Sequence, residues 1–255
     1  MQDDNRQFRI AAIKQLLIAS MMLVVQIIIF VVSAGSLPNP QPWLYFIVAF
    51  AHYFISIAVQ YKFNPQLLIR RFKTKRTGSK MWDEILMRIS NLTVIILIPA
   101  IAGLDVGRFH WSHLDVYFAV TGSLLVVASS ILLNWAMIVN PHFEPTVRIQ
   151  EDHKVIARGP YGVVRHPGYL AGILFALSIP LLIGSAFTFA PAGIYCLLMA
   201  IRTWLEDNTL QKELKGYQNT QNKQNTAYFP RFGRQKIATH FPTFHQTQTK
   251  VLVLY

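Results

Sequence analysis

The sequence predicts an all-α integral membrane protein of about six transmembrane helices, the last two forming a helical hairpin. Three observations carry that prediction. Of 255 residues, 53% are hydrophobic and only 14% are charged, where ordinary soluble domains carry about a quarter charged residues. Apolar runs recur near the roughly 20 residues that a spanning helix needs. Basic residues crowd into alternate loops, as the orientation of membrane helices demands.

Four long apolar runs come first, at about 10–32, 43–61, 85–104 and 116–139. The first is too long for a signal peptide and lacks a small-residue cleavage site. Two shorter runs follow, at about 168–183 and 186–201, separated by Gly184-Ser185. They read as a hairpin whose arms are bent by Pro180 and Pro191.

Charge fixes the orientation. With the N-terminus inside, Arg6, Arg9 and Lys14 are cytoplasmic and the outer loop 33–42 is uncharged. The inner loop 62–84 carries Lys62, Arg70, Arg71, Lys73, Lys75, Arg76 and Lys80. The outer loop 105–115 has only Arg108, and the inner loop 140–166 has Arg148, Lys154, Arg158 and Arg165. Both termini are therefore expected in the cytoplasm. The net charge of +12 fits inner loops against anionic lipid headgroups rather than nucleic acid. Arg88, within the third helix, is expected to snorkel. His52 and Asn134 read as packing or interhelical hydrogen-bonding residues.

The single cysteine, Cys196, lies in an apolar run. It excludes an internal disulfide and has no metal-ligand companions. No P-loop, dinucleotide glycine pattern, internal repeat or metal-spaced His/Cys cluster is present. The chain divides into a four-helix membrane region (1–139), a region of concentrated polar chemistry with the hairpin (140–217), and a polar tail (218–255).

That chemistry lies in "NPHFEPTVRIQEDHKVIARGPYGVVRHPGY" (140–169) and "RTWLEDNTLQKELKGY" (202–217). The hairpin starts just after the first and ends just before the second, so its open ends must meet at one membrane surface. Gly159-Pro160 predicts a turn, and Pro167 suits the first turn of a helix. That helix start offers N–H groups to an anion, with Arg165, His166 and Tyr169 clustered around it. An interfacial anchor of Arg and aromatic residues is the plainer alternative. Arg202 and Glu206 stand four apart on one helix face, either as an ordinary ion pair or each serving a ligand. His142 and Glu144 flank a proline-rich helix exit, where a gating role is the less ordinary reading.

The pattern G-P-Y-x-x-V-R-H-P-x-Y-x-x-G, then a hydrophobic hairpin, then R-x-x-x-E-D-x-x-L-x-x-E-L-x-G-Y, resembles the isoprenylcysteine carboxyl methyltransferase family. It is closest to that family's bacterial members, within the broader phospholipid methyltransferase-like group. The resemblance covers about 140–217. It implies a cytoplasmic cofactor pocket and S-adenosyl-L-methionine as cofactor. It further implies a lipophilic or lipidated acceptor arriving through membrane lipid, and a multi-pass location in a bacterial inner membrane. Carried over by position, cofactor contacts fall on Gln150, His153, Lys154, Val155, Ile156, Tyr161, His166, Pro167, Gly168, Tyr169 and Glu206. Arg202 falls where the family faces the acceptor carboxylate. Methyl transfer from a sulfonium needs alignment and water exclusion more than proton transfer. An amine or thiol acceptor would need a base, and His166 is the nearest candidate. Two alternatives are an NAD(P)H-dependent sterol-type reductase sharing the C-terminal architecture, and a non-catalytic membrane protein of the same fold.

The resemblance stops at Tyr217. The family pattern continues with E-Y-x-x-x-x-x-Y-R-L-x-P-x-x-W, whereas here the chain reads "QNTQNKQNTAYFPRFGRQKIATHFPTFHQTQTKVLVLY". A divergent, disordered polar tail is one reading. The genetic code offers another. Joining the last base of each codon from Gln218 with the first two of the next permits "EYTKQTKYRLFP", with Trp at the expected place after that proline. A single-base deletion near Gln218 accounts for both strings, and the tail is then expected to lack order. Resequencing the locus checks it. Codons that give this string in the shifted frame support the deletion, and stops or unrelated residues refute it.

Overall fold

The computed structural model describes residues 2–36, 40–71, 79–147 and 156–214, and all regular structure among them is helical. The tail 218–255, with the readings placed on it, lies outside the described residues. In chain order the helices are α1 (Gln2–Ala34), α2 (Gln41–Phe63), a short α3 (Pro65–Arg71), α4 (Met81–Phe109), α5 (Tyr117–Val139), α6 (Pro167–Ile183) and α7 (Phe189–Glu213). Successive long helices alternate in direction, which collects polar chain ends at two opposite ends of one bundle.

Four helices are long and apolar enough to cross a membrane: Asn5–Ala34, Gln41–Phe63, Met81–Phe109 and Tyr117–Val139. They coincide with the first four expected spans. The hairpin is a different case. The 17 residues of α6 rise about 26 Å, a little short of a hydrocarbon core of about 30 Å. The 25 residues of α7 are long enough, but its second half carries Arg202, Glu206 and Asp207. The apolar reach of the hairpin is therefore shorter than that of the other four helices.

Helix α4 outruns its expected limits at both ends. Asp83 and Glu84 occupy its first turn, where carboxylates favour helix starts. Pro99, which lacks an N–H, is accommodated by a wider turn over Thr93–Leu97, where the Ile98 N–H reaches back five residues to the Thr93 carbonyl. A second such turn covers Leu104–Phe109. Gly103 and Gly107 let α4 close onto α1: a Cβ on Gly103 would lie 2.3 Å from the Phe30 carbonyl oxygen, and one on Gly107 2.3 Å from the Ala34 Cβ. Small residues four apart are a common device for close helix approach in lipid.

The hairpin turns at Gly184, whose φ of +86° is a conformation that glycine adopts without a Cβ clash. Pro180 lies inside α6, as expected. Pro191 does not bend α7, because it occupies the first turn, where its missing N–H has no helical partner to lose. At this end of the bundle the buried Asp105 carboxylate accepts hydrogen bonds from the Ser112 N–H (2.7 Å), the Ser112 hydroxyl and the Ser185 hydroxyl (2.5 Å each). The network ties the end of α4 to the hairpin turn.

The core is aromatic and aliphatic, with Phe30, Tyr45, Phe46, Ile98, Ile179 and Leu182 at its centre. The Tyr45 hydroxyl donates to Gln26 at 2.8 Å. His52 and Asn134 serve as expected, His52 sharing a 2.6 Å hydrogen bond with Ser130 and Asn134 donating to Ser56 at 3.3 Å. These bonds join α2 to α5.

Candidate functional site

The opposite end of the bundle gathers the start of α4, the exit of α5, the tight turn Gly159–Gly162, the start of α6 and the polar half of α7. Gly159 has a φ of +61°, which side-chain-bearing residues rarely adopt, and a Cβ there would lie 3.0 Å from Val139 Cγ2 and 3.1 Å from Trp135 Nε1. The turn delivers the chain to His166, which precedes Pro167 at the first position of α6. Both residues are buried. Gly168 accepts the Phe143 ring in a position a Cβ would occupy.

Asp207 binds two consecutive residues of the Arg-His-Pro triplet. One oxygen receives Arg165 Nη1 at 2.5 Å, and the other pairs with His166 Nε2 at 2.6 Å. The second imidazole nitrogen, Nδ1, faces Glu206 at 3.6 Å. Tyr169 stacks parallel to the His166 ring, with centroids 5.4 Å apart, and its hydroxyl donates to Glu206. The Arg202 guanidinium lies over the Tyr169 ring at 4.9 Å, an attractive cation–π placement.

Arg202 and Glu206 do share a face, but they bracket Tyr169 rather than form the ordinary pair. The charge partner of Arg202 is Asp83, from the start of α4. Arg202 Nε donates to Asp83 Oδ1 at 2.6 Å, Nη2 donates to the Pro145 carbonyl at 2.5 Å, and Nη1 meets the Met87 sulfur. The other Asp83 oxygen accepts the Val147 N–H at 2.8 Å. Both side chains are buried, Asp83 completely.

Tyr161 accepts a hydrogen bond from Asn140 at 3.0 Å. Burial, and to a lesser degree the Glu206 charge, push its phenol above the usual range, with the Asn140 bond opposing. His142 and Glu144 belong to the turn after α5, where the His142 N–H donates to the Asn140 side chain. Ile156 is half-buried where the chain re-enters the described structure, and Gln150, His153, Lys154 and Val155 lie outside the described residues.

The electrostatics are balanced and directional. Burial disfavours a charged His166, but the Asp207 hydrogen bond and the Glu206 carboxylate outweigh it and raise the imidazole to about 9. For Glu206, burial is likewise the largest influence and opposes ionisation. His166, Arg202 and the Tyr169 hydroxyl together outweigh it and hold the carboxyl below the usual range. At neutral pH His166 is thus an imidazolium whose two N–H groups point at carboxylates, and it is not poised to accept a proton. Among the described residues no three His, Cys, Asp or Glu are grouped to hold a metal ion.

Asp207 stood in the sequence as the second acid of the quoted E-D pair, but the pattern assigned it no role. Asp83 gave less warning still: it reads as an ordinary first-turn acid, and its burial against Arg202 depends on the packing of α4 on α7.

Comparison with known families bears on this end of the bundle. Residues 121–212 match the isoprenylcysteine carboxyl methyltransferase (ICMT) family. The ICMT match covers just over a third of the chain: most of α5, the tight turn, α6 and nearly all of α7. It takes in Arg165, His166, Tyr169, Arg202, Glu206 and Asp207, and leaves Asp83 and Met87 outside. No curated protein matches the chain. Residues 121–212 are thus similar to a family of membrane methyltransferases, in a chain with four helices long and apolar enough to cross a membrane.

Proposed function

We propose that this protein transfers a methyl group from S-adenosylmethionine to a carboxylate on a lipophilic acceptor, making a methyl ester at the membrane surface. Members of the matched family depend on S-adenosylmethionine. One observation carries the choice of acceptor: a buried arginine keeps donors in reserve beside an imidazole that has no free base to offer. Arg202 has five N–H groups, of which one goes to Asp83, one to Met87 and one to Pro145. Two remain for a ligand, and a guanidinium suits a carboxylate. A carboxylate is already ionised at neutral pH, whereas an amine or thiol must lose a proton.

The residues present suit the cofactor. Glu206, ionised and 21% exposed, can face its positive charge. The Gly168 N–H at the start of α6 can receive its carboxylate, and Tyr161 and Tyr169 bring aromatic surface. Gln150, His153, Lys154, Val155 and Ile156 are proposed as further cofactor contacts, as the resemblance implies. When bound, S-adenosylmethionine would supply an electrophilic methyl group on sulfur, which a carboxylate acceptor could take with no proton to remove and a neutral thioether as leaving group. Arg202 then orients the acceptor, His166 fixes Glu206 and Asp207, and the packed rings exclude water. The acceptor's apolar part remains in the bilayer, and the site faces the cytoplasm with both chain termini.

Two measurements test this reading. Calorimetry on the full chain in detergent should detect S-adenosylhomocysteine and not NADPH. NADPH binding alone would turn the assignment to a reductase, and binding of neither would favour a non-catalytic protein. The second concerns His166. Because its imidazole is raised to about 9, its pairing stabilises fully below the unfolded value of about 6.5 and is lost as pH rises through 9. The thermal midpoint of the wild type should therefore exceed that of His166→Gln at pH 6.5, and the gap should shrink by pH 9.5. A gap that is constant with pH would mean that His166 is neutral in the fold.

A further inference from the structure

We propose that Asp83 is a positioning residue for methyl transfer, setting the Arg202 guanidinium so that its unspent N–H groups face the acceptor carboxylate. The proposal rests on the carboxyl-methyltransferase reading and adds a residue from outside the family-matched region.

The argument begins with the division of the Asp83 carboxylate. A carboxylate beside an arginine commonly takes two parallel N–H groups. Here only Oδ1 meets Arg202, through Nε at 2.6 Å, while Oδ2 accepts the Val147 N–H at 2.8 Å. The backbone of Val147 thus diverts the second oxygen, and Asp83 consumes one guanidinium N–H instead of two. The Pro145 carbonyl fixes Nη2 at 2.5 Å, and the Tyr169 ring supports the guanidinium face at 4.9 Å. The plane and rotation of the group are defined while two N–H groups stay uncommitted.

The same contacts couple Arg202 to the loop. Asp83 and Arg202 together hold Val147 and Pro145, in the stretch that follows the exit of α5. Lys80 adds a bond from its N–H to the Val147 carbonyl at 3.3 Å. Asp83 therefore sets the acceptor-binding arginine relative to Pro145 and Val147. A simple helix-start acid would need neither full burial nor a partner on α7.

The test compares the full-length wild type, Asp83→Asn and Asp83→Glu, each alone and with Arg202→Ala. The readouts are methyl ester formation on N-acetyl-S-prenylcysteine, S-adenosylhomocysteine affinity and thermal midpoint. Asp83→Asn removes a buried charge and could fail to fold. Asp83→Glu keeps the charge but displaces the guanidinium by about one methylene, and misplacement on that scale costs about 100-fold in rate. Asp83→Glu should lose about that factor in turnover with cofactor affinity within about twofold of wild type. In the Arg202→Ala background it should cost less than about threefold, because the two residues act as one unit. Wild-type turnover in Asp83→Glu would overturn the proposal, as would equal losses of cofactor affinity and turnover or an undiminished loss in the Arg202→Ala background. If the wild type itself forms no methyl ester, the functional reading falls and takes this proposal with it. If it does and Asp83→Glu matches it, this proposal alone falls.

Discussion

Arg202→Ala is expected to lower turnover by about 100-fold or more while S-adenosylhomocysteine affinity changes by less than about threefold. The asymmetry follows from geometry. Arg202 is proposed to hold its spare N–H groups for the acceptor, and between it and Glu206 lies the Tyr169 ring. The substitution also strands Asp83, which is completely buried. Removing one partner of a buried ion pair costs roughly 3–5 kcal/mol, so the variant's thermal midpoint should fall as well. Activity is therefore compared at a temperature where both proteins are folded. Arg202→Lys should also be poor, since an ammonium cannot present two parallel N–H groups while donating sideways to Asp83. Equal losses of turnover and cofactor affinity would show that Arg202 serves the cofactor instead.

The second large effect is expected at Glu206. Glu206→Gln should weaken S-adenosylhomocysteine binding by about tenfold or more, the scale of a lost charge-assisted interaction, with little change in fold. Gln keeps an oxygen to accept the Tyr169 hydroxyl. What it lacks is the negative charge that faces His166 Nδ1 at 3.6 Å and that is proposed to face the cofactor's cation. Because Glu206 is partly exposed, the loss should not unfold the protein. Calorimetry in detergent checks this, and unchanged affinity would remove Glu206 from the cofactor site.

Much of the bundle was legible because lipid imposes a simple rule on sequence. Long apolar runs must be helices, and four of them stand where hydropathy put them. The turn at Gly184, the helix start at Pro167 and the meeting of residues 165–169 with 202–207 were likewise local signals: a glycine, a proline and two polar segments flanking one hairpin. Other features were not local. Asp83 lies 119 residues before Arg202, and no periodicity connects them. The i,i+4 spacing of Arg202 and Glu206 allowed either a mutual ion pair or a separate ligand for each, and in the fold the Tyr169 ring intervenes and Asp83 takes the arginine. His166 looked like the available base, whereas the neighbouring Asp207 and Glu206 carboxylates make it a cation. Pro191 was read as a bend because its distance from the start of α7 depends on where the hairpin turn ends.

The central claim is that the site esterifies a carboxylate. Its most direct test uses the full chain in lipid nanodiscs with methyl-labelled S-adenosylmethionine and N-acetyl-S-prenylcysteine. The account predicts label that is transferred to the acceptor and released by base as volatile methanol, and that is lost in Arg202→Ala. Label that resists base, as on an amine or thioether, or no transfer by protein that binds S-adenosylhomocysteine, would contradict it.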